Sequence, residues 1–203
     1  MSIESVVNYI NTLLEAMPYF SNVYGLAEIK TGKDGVRQPV IYLDGRYRNV
    51  KFNTKGTTYL RKRDVFSLAE SPFNQLACGN MYRITMPIRL IATTKRTLFP
   101  ADNAYSSDRL SGTLIKAVTN TTKQLRAQME VQQVSVKAIS YSTDTETVKS
   151  QELLEVSKNL PLDWIACAID IDVVVDTYAN CIEDACEYVP RFCLQLESYI
   201  ALP

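Results

Sequence analysis

The chain reads as an α+β protein, one largely antiparallel β-sheet packed against two α-helices. Three observations predict this. Residues 3–17 and 107–127 repeat apolar side chains at helical spacing. Residues 80–95 and 163–176 alternate apolar and polar side chains as half-buried strands do. Short Gly-containing turns separate further β-rich runs between residues 23 and 64.

The first helix carries Ile3, Val6, Val7, Ile10, Leu13, Leu14 and Met17 on one face, with Ser2 to cap it and Pro18 to end it. Val23–Lys30 and Val36–Tyr42 then read as strands joined through Thr31-Gly32-Lys33-Asp34-Gly35. A second turn is expected at Asp44-Gly45, a strand over Arg46–Asn53 and another turn at Lys55-Gly56. Residues 46–63 hold Arg46, Arg48, Lys51, Lys55, Arg61, Lys62 and Arg63 without one acid, so a projecting basic β-hairpin arm is expected there.

Residues 67–79 read as a connector punctuated by Pro72 and Gly79. In the long strand that follows, Tyr82, Ile84, Met86, Ile88, Leu90 and Ala92 alternate with Arg83, Thr85, Pro87 and Arg89. Pro87 has no N–H to give, so an edge or a bulge is expected beside it. The second helix starts at Ser106 or Ser107 with Asp108 in its first turn, and Leu110, Leu114, Ile115, Val118 and Leu125 form its apolar stripe. Val131–Tyr141 is the next strand, and residues 142–161 read as a polar loop with a helical turn near Glu152. The last strand sets Ile165, Cys167, Ile169, Ile171, Val173 and Val175 on one face. Trp164, Ala166, Ala168, Asp170, Asp172, Val174 and Asp176 share the other, partly wet face. Residues 1–176 are thus expected to form one domain, with 177–203 as an acidic C-terminal extension.

The 203 residues are 46% hydrophobic and 22% charged, ordinary values for a globular chain with its own core. Histidine is absent, which excludes Ser-His-Asp and Cys-His catalysis and every His-ligated metal. Neither GxGxxG nor GxxxxGK[ST] nor GxSxG occurs. The five cysteines, Cys78, Cys167, Cys181, Cys186 and Cys193, lack zinc-ribbon spacing and read as small hydrophobes in a reducing cytoplasm. Residues 1–17 lack the pattern of a signal peptide, and no apolar run is long enough to span a membrane. No cofactor or metal is expected, and no catalytic residue.

Net charge is zero, but residues 1–142 hold 19 Lys and Arg against 10 Asp and Glu, and residues 143–203 hold 3 against 12. Halves of +9 and −9 suit head-to-tail contact between copies, in which the arm (Arg46, Arg48, Lys51, Arg61, Lys62, Arg63) meets the acidic sheet face (Asp170, Asp172, Asp176). The alternative is a nucleic-acid-binding module, because Tyr47, Phe52 and Tyr59 interleave with the basic residues of the arm. Asp170 and Asp172, two apart on one strand, also have the spacing of an acid–base or cation site.

The element order carries a resemblance. An amphipathic helix leads into a β-hairpin with a basic extension. A long strand (Tyr82–Thr94) and a helix opened by Ser107-Asp108-Arg109-Leu110 follow, then two strands ending in Asp163-Trp164-Ile165-Ala166-Cys167-Ala168-Ile169-Asp170-Ile171-Asp172-Val173. Over about residues 1–176 this resembles the tail-terminator and tail-completion proteins of bacteriophages, which form neck or connector rings at the head–tail junction. The 46–63 arm, the 142–161 loop and the 177–203 extension depart from that pattern by their length. The resemblance implies a structural virion protein that acts by assembly: a homo-oligomeric ring, hexamer or dodecamer, meeting portal, neck or tail proteins. DNA would pass through its lumen, no membrane is involved, and assembly would take place in the cytoplasm of the bacterial host.

Overall fold

The computed structural model describes residues 3–52, 55–65, 67–72, 81–98, 106–128, 133–154, 158 and 160–178. The expected C-terminal extension lies outside these residues apart from Thr177 and Tyr178.

The elements follow the sequence patterns closely. Helix α1 spans Ile3–Glu15, and α2 spans Ser106–Gln128. The strands are β1 (Asn22–Thr31), β2 (Arg37–Leu43), β3 (Arg46–Asn49), β4 (Gly56–Lys62), β5 (Ser67–Glu70), β6 (Met81–Lys95), β7 (Gln133–Ser142) and β8 (Trp164–Tyr178). They form one sheet in the order β3-β2-β1-β4-β6-β8-β7, with β5 also paired to β6. Among the described residues every pairing is antiparallel except β1 with β4. The architecture is α+β with a mostly antiparallel sheet, as the alternation and the two helical stripes predict.

The turn chemistry explains the first hairpins. Asp44 and Gly45 both have positive φ, 51° and 74°, the geometry that lets a two-residue turn follow the twist of β2 and β3. Gly35 closes the β1–β2 turn at φ 77°. At Gly56 the reason is proximity. A Cβ there would sit 2.7 Å from the carbonyl oxygen of Thr93 and would also run into that of Tyr19.

Both helices lie on one face of the sheet. Val6, Val7, Ile10 and Leu14 of α1 and Leu110, Leu114 and Val118 of α2 pack on Ile84, Met86, Ile88, Leu90 and Ala92 of β6. Ile165, Cys167, Ile169, Ile171, Val173 and Val175 of β8 complete this main core, the side chains that the alternation places together. Burial pushes the Cys167 thiol far above its ordinary pKa.

The opposite face differs from its expectation. It holds a second, smaller core of Ala27, Val50, Tyr59, Ile91, Val148, Leu153, Ala166 and Ala168. Part of residues 142–161 covers it, where the helical turn expected near Glu152 is present within a longer helical segment. Helix α3 (Thr145–Val148) runs into a π-helical turn (Lys149–Leu153), and Val148 and Leu153 are fully buried. Asp144 caps this lid by accepting from the Thr147 N–H at 3.1 Å.

Two other expectations are corrected. Residues 46–63 do not project as an arm. β3 is an edge strand, whereas β4 lies inside the sheet between β1 and β6, with Thr57, Thr58, Tyr59 and Leu60 all buried. The expected connector at 67–79 contains strand β5, opposite Tyr82–Thr85. β4 and β5 flank β6 on the same side, broken between Lys62 and Ser67. The Arg63 N–H donates to the Pro87 carbonyl at 3.0 Å, so the main-chain polar side of Pro87 faces this break. The missing proline N–H thus falls where the flanking strand is interrupted, as the sequence implies.

Candidate functional site

On the lid face, β6 and β8 set their charged residues directly opposite each other. Arg83 pairs with Asp176 and Arg89 with Asp170, and Pro87 stands opposite Asp172. Arg83 and Arg89 are six residues apart, as are Asp170 and Asp176. One antiparallel register therefore satisfies both pairs at once.

The contacts form a chain of alternating charge. Arg61 donates to Glu152 Oε1 at 3.0 Å, and Arg89 donates to the same oxygen at 2.7 Å. Arg89 also grips Asp170 with two bonds, of 2.7 and 3.2 Å. Arg63 reaches Asp170 at 2.9 Å and bonds Asp172 as well. Three guanidinium groups thus neutralise three carboxylates. At the far end of β6, Arg83 binds Asp176 through two bonds of 3.0 Å, and Ser71 donates to Asp176 at 2.8 Å. The Arg89 guanidinium also lies over the Tyr141 ring of β7, 3.4 Å from its centroid.

The electrostatics follow from this crowding. Burial alone raises the Asp170 carboxyl, but hydrogen bonds from Arg89 and Arg63 and then their charges outweigh it, so its pKa lies below the ordinary value. Burial pushes the Tyr59 phenol up and the Glu152 charge adds to the shift, while its O–H donates to the Glu152 carbonyl at 2.9 Å. The lid is therefore fastened at Glu152 by both its main chain and its side chain.

Of the expected arm and acidic-face residues, Arg63 meets Asp170 and Asp172 inside one chain, while Arg61 pairs with Glu152 and Asp176 with Arg83 of β6. The reason is β4's interior place, which lays its arginines across β6 from β8. Of the other expected contact residues, Arg46, Arg48, Lys51 and Lys62 are exposed. Arg48 bonds Asp44 at 2.8 Å. Of the three interleaved aromatics, Tyr59 is buried and Phe52 packs on the second core, so Tyr47 alone stays well exposed. The Lys30 ammonium covers its ring at 3.2 Å. The oxygens of Asp170 and Asp172 face guanidinium groups in place of a cation or a substrate proton. Among the described residues no cluster of three or more Cys, Asp or Glu is placed to hold a metal ion. No described helix is long and apolar enough to cross a membrane.

Among the described residues the sheet order ends at β3 and at β7, and β5 is paired on one side only, to β6. Large exposed apolar side chains gather at the two ends of that order. Tyr42 (64% exposed), Leu43 (45%) and Tyr47 (47%) lie on β2 and β3, and Ile139 (52%) and Tyr141 (42%) on β7. Val65, in the break between β4 and β5, and Leu162, before β8, are the other two such residues among those described. The sequence reading placed weight on charge and did not single out Ile139; its signal was an apolar side chain on the polar face of an alternating strand.

Neither a protein-family model nor a curated protein matches the chain.

Proposed function

We propose that the chain is a non-enzymatic structural protein that assembles with copies of itself into a closed ring, as a neck, connector or terminator component at the head–tail junction of a bacteriophage. The observation that carries the assembly reading is the pair of unlike strands, β3 and β7, that end the sheet order, where among the described residues five of the seven exposed large apolar side chains lie on or next to these strands. A contact between two different surfaces of the same molecule is heterologous, and it closes into a ring when the rotation between neighbours divides a full turn. The place in the virion rests on the resemblance of the element order to tail-terminator and tail-completion proteins.

The arrangement also changes the expected driving force. Arg61 and Arg63 are paired within the chain, so they are not available to draw in a neighbour's acids. Apolar contact and main-chain pairing at the edges take over that role, and both are less sensitive to salt than ion pairs are. The same internal pairing withdraws Arg61 and Arg63 from the basic surface that binding to a nucleic-acid backbone would use.

Electron micrographs of the purified chain at high concentration test the reading. Annular particles of uniform subunit number are expected. Dispersed single subunits, or open filaments without rings, would overturn it.

A further inference from the structure

The geometry points to β7 of one copy taking β3 of the next copy as its antiparallel neighbour, so that one sheet continues from subunit to subunit. This deepens the self-assembly reading and rests on it.

Strand direction is the first argument. β3 is antiparallel to β2 and β2 to β1, so β3 runs with β1. β1 is parallel to β4, and the steps from β4 to β6, β8 and β7 are each antiparallel, so β7 runs against β4. The two edges therefore point in opposite directions. A neighbour related by rotation about a ring axis, with its helices on the same side of the sheet, brings β3 beside β7 in the antiparallel sense, the more stable pairing per residue.

Register is the second argument. One rung crosses seven of the eight strands, all but β5: Arg48, Ile41, Ala27, Arg61, Arg89, Asp170 and Ile139. Residues of one rung project from the same face. Continuing the rung without stagger sets Ile139 opposite Arg48 of the next copy and Ser140 opposite Tyr47, and brings Tyr141, in the register shift between Ser140 and Ser142, beside Arg46. Arg46 then reaches the aromatic ring that already lies under Arg89. The exposed acids Asp144 and Glu146 follow that end of β7 and give Arg46 a charge partner.

The character of the edge is the third. Natural edge strands are blunted by charges, prolines or short length. β7 is 10 residues long, has no proline and carries Lys137 as its one charge. A strand of this kind is suited to accept another.

Paired cysteines in the full chain test the inference. Arg48→Cys with Ile139→Cys, and on the other face Tyr47→Cys with Ser140→Cys, are treated with a short bis-maleimide. Products are mapped by peptide mass spectrometry on mixtures of isotope-labelled and unlabelled protein. The expected result is a ladder of covalent oligomers with 48–139 and 47–140 links between copies, absent in each single variant. Links from 139 or 140 to residues outside β3, or an oligomer of native mass with neither link, would overturn the edge pairing while leaving self-assembly in place. A monomeric native chain would overturn both.

Discussion

Replacing Glu152 by Gln removes the charge that fastens the lid. The side chain is 1% exposed, and Oε1 accepts from Arg61 and Arg89. Glu152 Oε2 has no hydrogen-bond partner among the described residues, so the whole side-chain anchor passes through Oε1. Gln keeps an acceptor of the same shape, removes the charge and puts an NH2 donor in place of Oε2. A hydrogen bond to a charged group contributes about 1.5–3 kcal/mol, and breaking a buried ion pair costs about 3–5 kcal/mol. Arg61 is 27% exposed and regains water, and Arg89 keeps Asp170. These reliefs place the expected loss at about 2–3 kcal/mol. For a chain of this size that lowers Tm by roughly 5–10 °C. Thermal unfolding followed by circular dichroism reads the total. Amide exchange over Val148–Leu153 reads the lid itself, and those amides are expected to lose more protection than those of β6. Adding Arg89→Met completes a double-mutant cycle, and the two substitutions together are expected to cost less than the sum of the singles. A Tm within about 1 °C of the native chain, with unchanged exchange in the lid, would refute the reasoning.

Three more outcomes follow from the same geometry. Asp170 has a lowered pKa when folded, so its contribution is present above the ordinary carboxylate range and is lost as pH falls through the folded value. Asp170→Asn is therefore expected to lower stability at neutral pH and to flatten the acid limb of a Tm-against-pH curve below about pH 4; an unchanged limb would contradict this. Gly56→Ala forces a Cβ against the carbonyls of Tyr19 and Thr93 and is expected to cost about 1–3 kcal/mol in urea unfolding, where a neutral result would place the crowding elsewhere. Cys167, fully buried with its thiol pushed up, is expected to resist maleimide until the chain unfolds, and rapid labelling of the native protein would contradict its position.

The parts of the fold legible in the sequence are those set by local periodicity. The alternation over 163–176 gives both faces of β8, because side chains on a strand have a period of two whatever lies next to it. Asp44-Gly45 gives the β2–β3 turn, because the conformation is local. Pro87 gives a break beside β6, because the missing N–H travels with the residue. The place of β4 was not legible in this way. Its basic residues read as an exposed arm, yet long arginine stems lie on a sheet and carry their heads to partners far along the chain. Those partners are Glu152, Asp170 and Asp172, which no local pattern joins to residues 61 and 63. The charge asymmetry between the halves was a true signal of attraction between them; whether it acts within a chain or between chains depends on strand order. Arg83 and Arg89 carried a readable cue in their six-residue spacing, which matches that of Asp170 and Asp176. At Glu152 the helical turn was readable but the arginine partners were not, since they follow from the way that turn lies over β4 and β6.

The central claim is that the chain pairs Arg61, Arg63, Arg83 and Arg89 with Glu152, Asp170, Asp172 and Asp176 inside its own fold and joins its copies through the sheet edges. Sedimentation equilibrium of the full chain at low and at high salt tests this most directly. The account predicts a discrete oligomer, an integral multiple of 22.9 kDa, whose mass holds as salt is raised. A monomer at every concentration, or an oligomer that falls apart as salt screens charge, would contradict it.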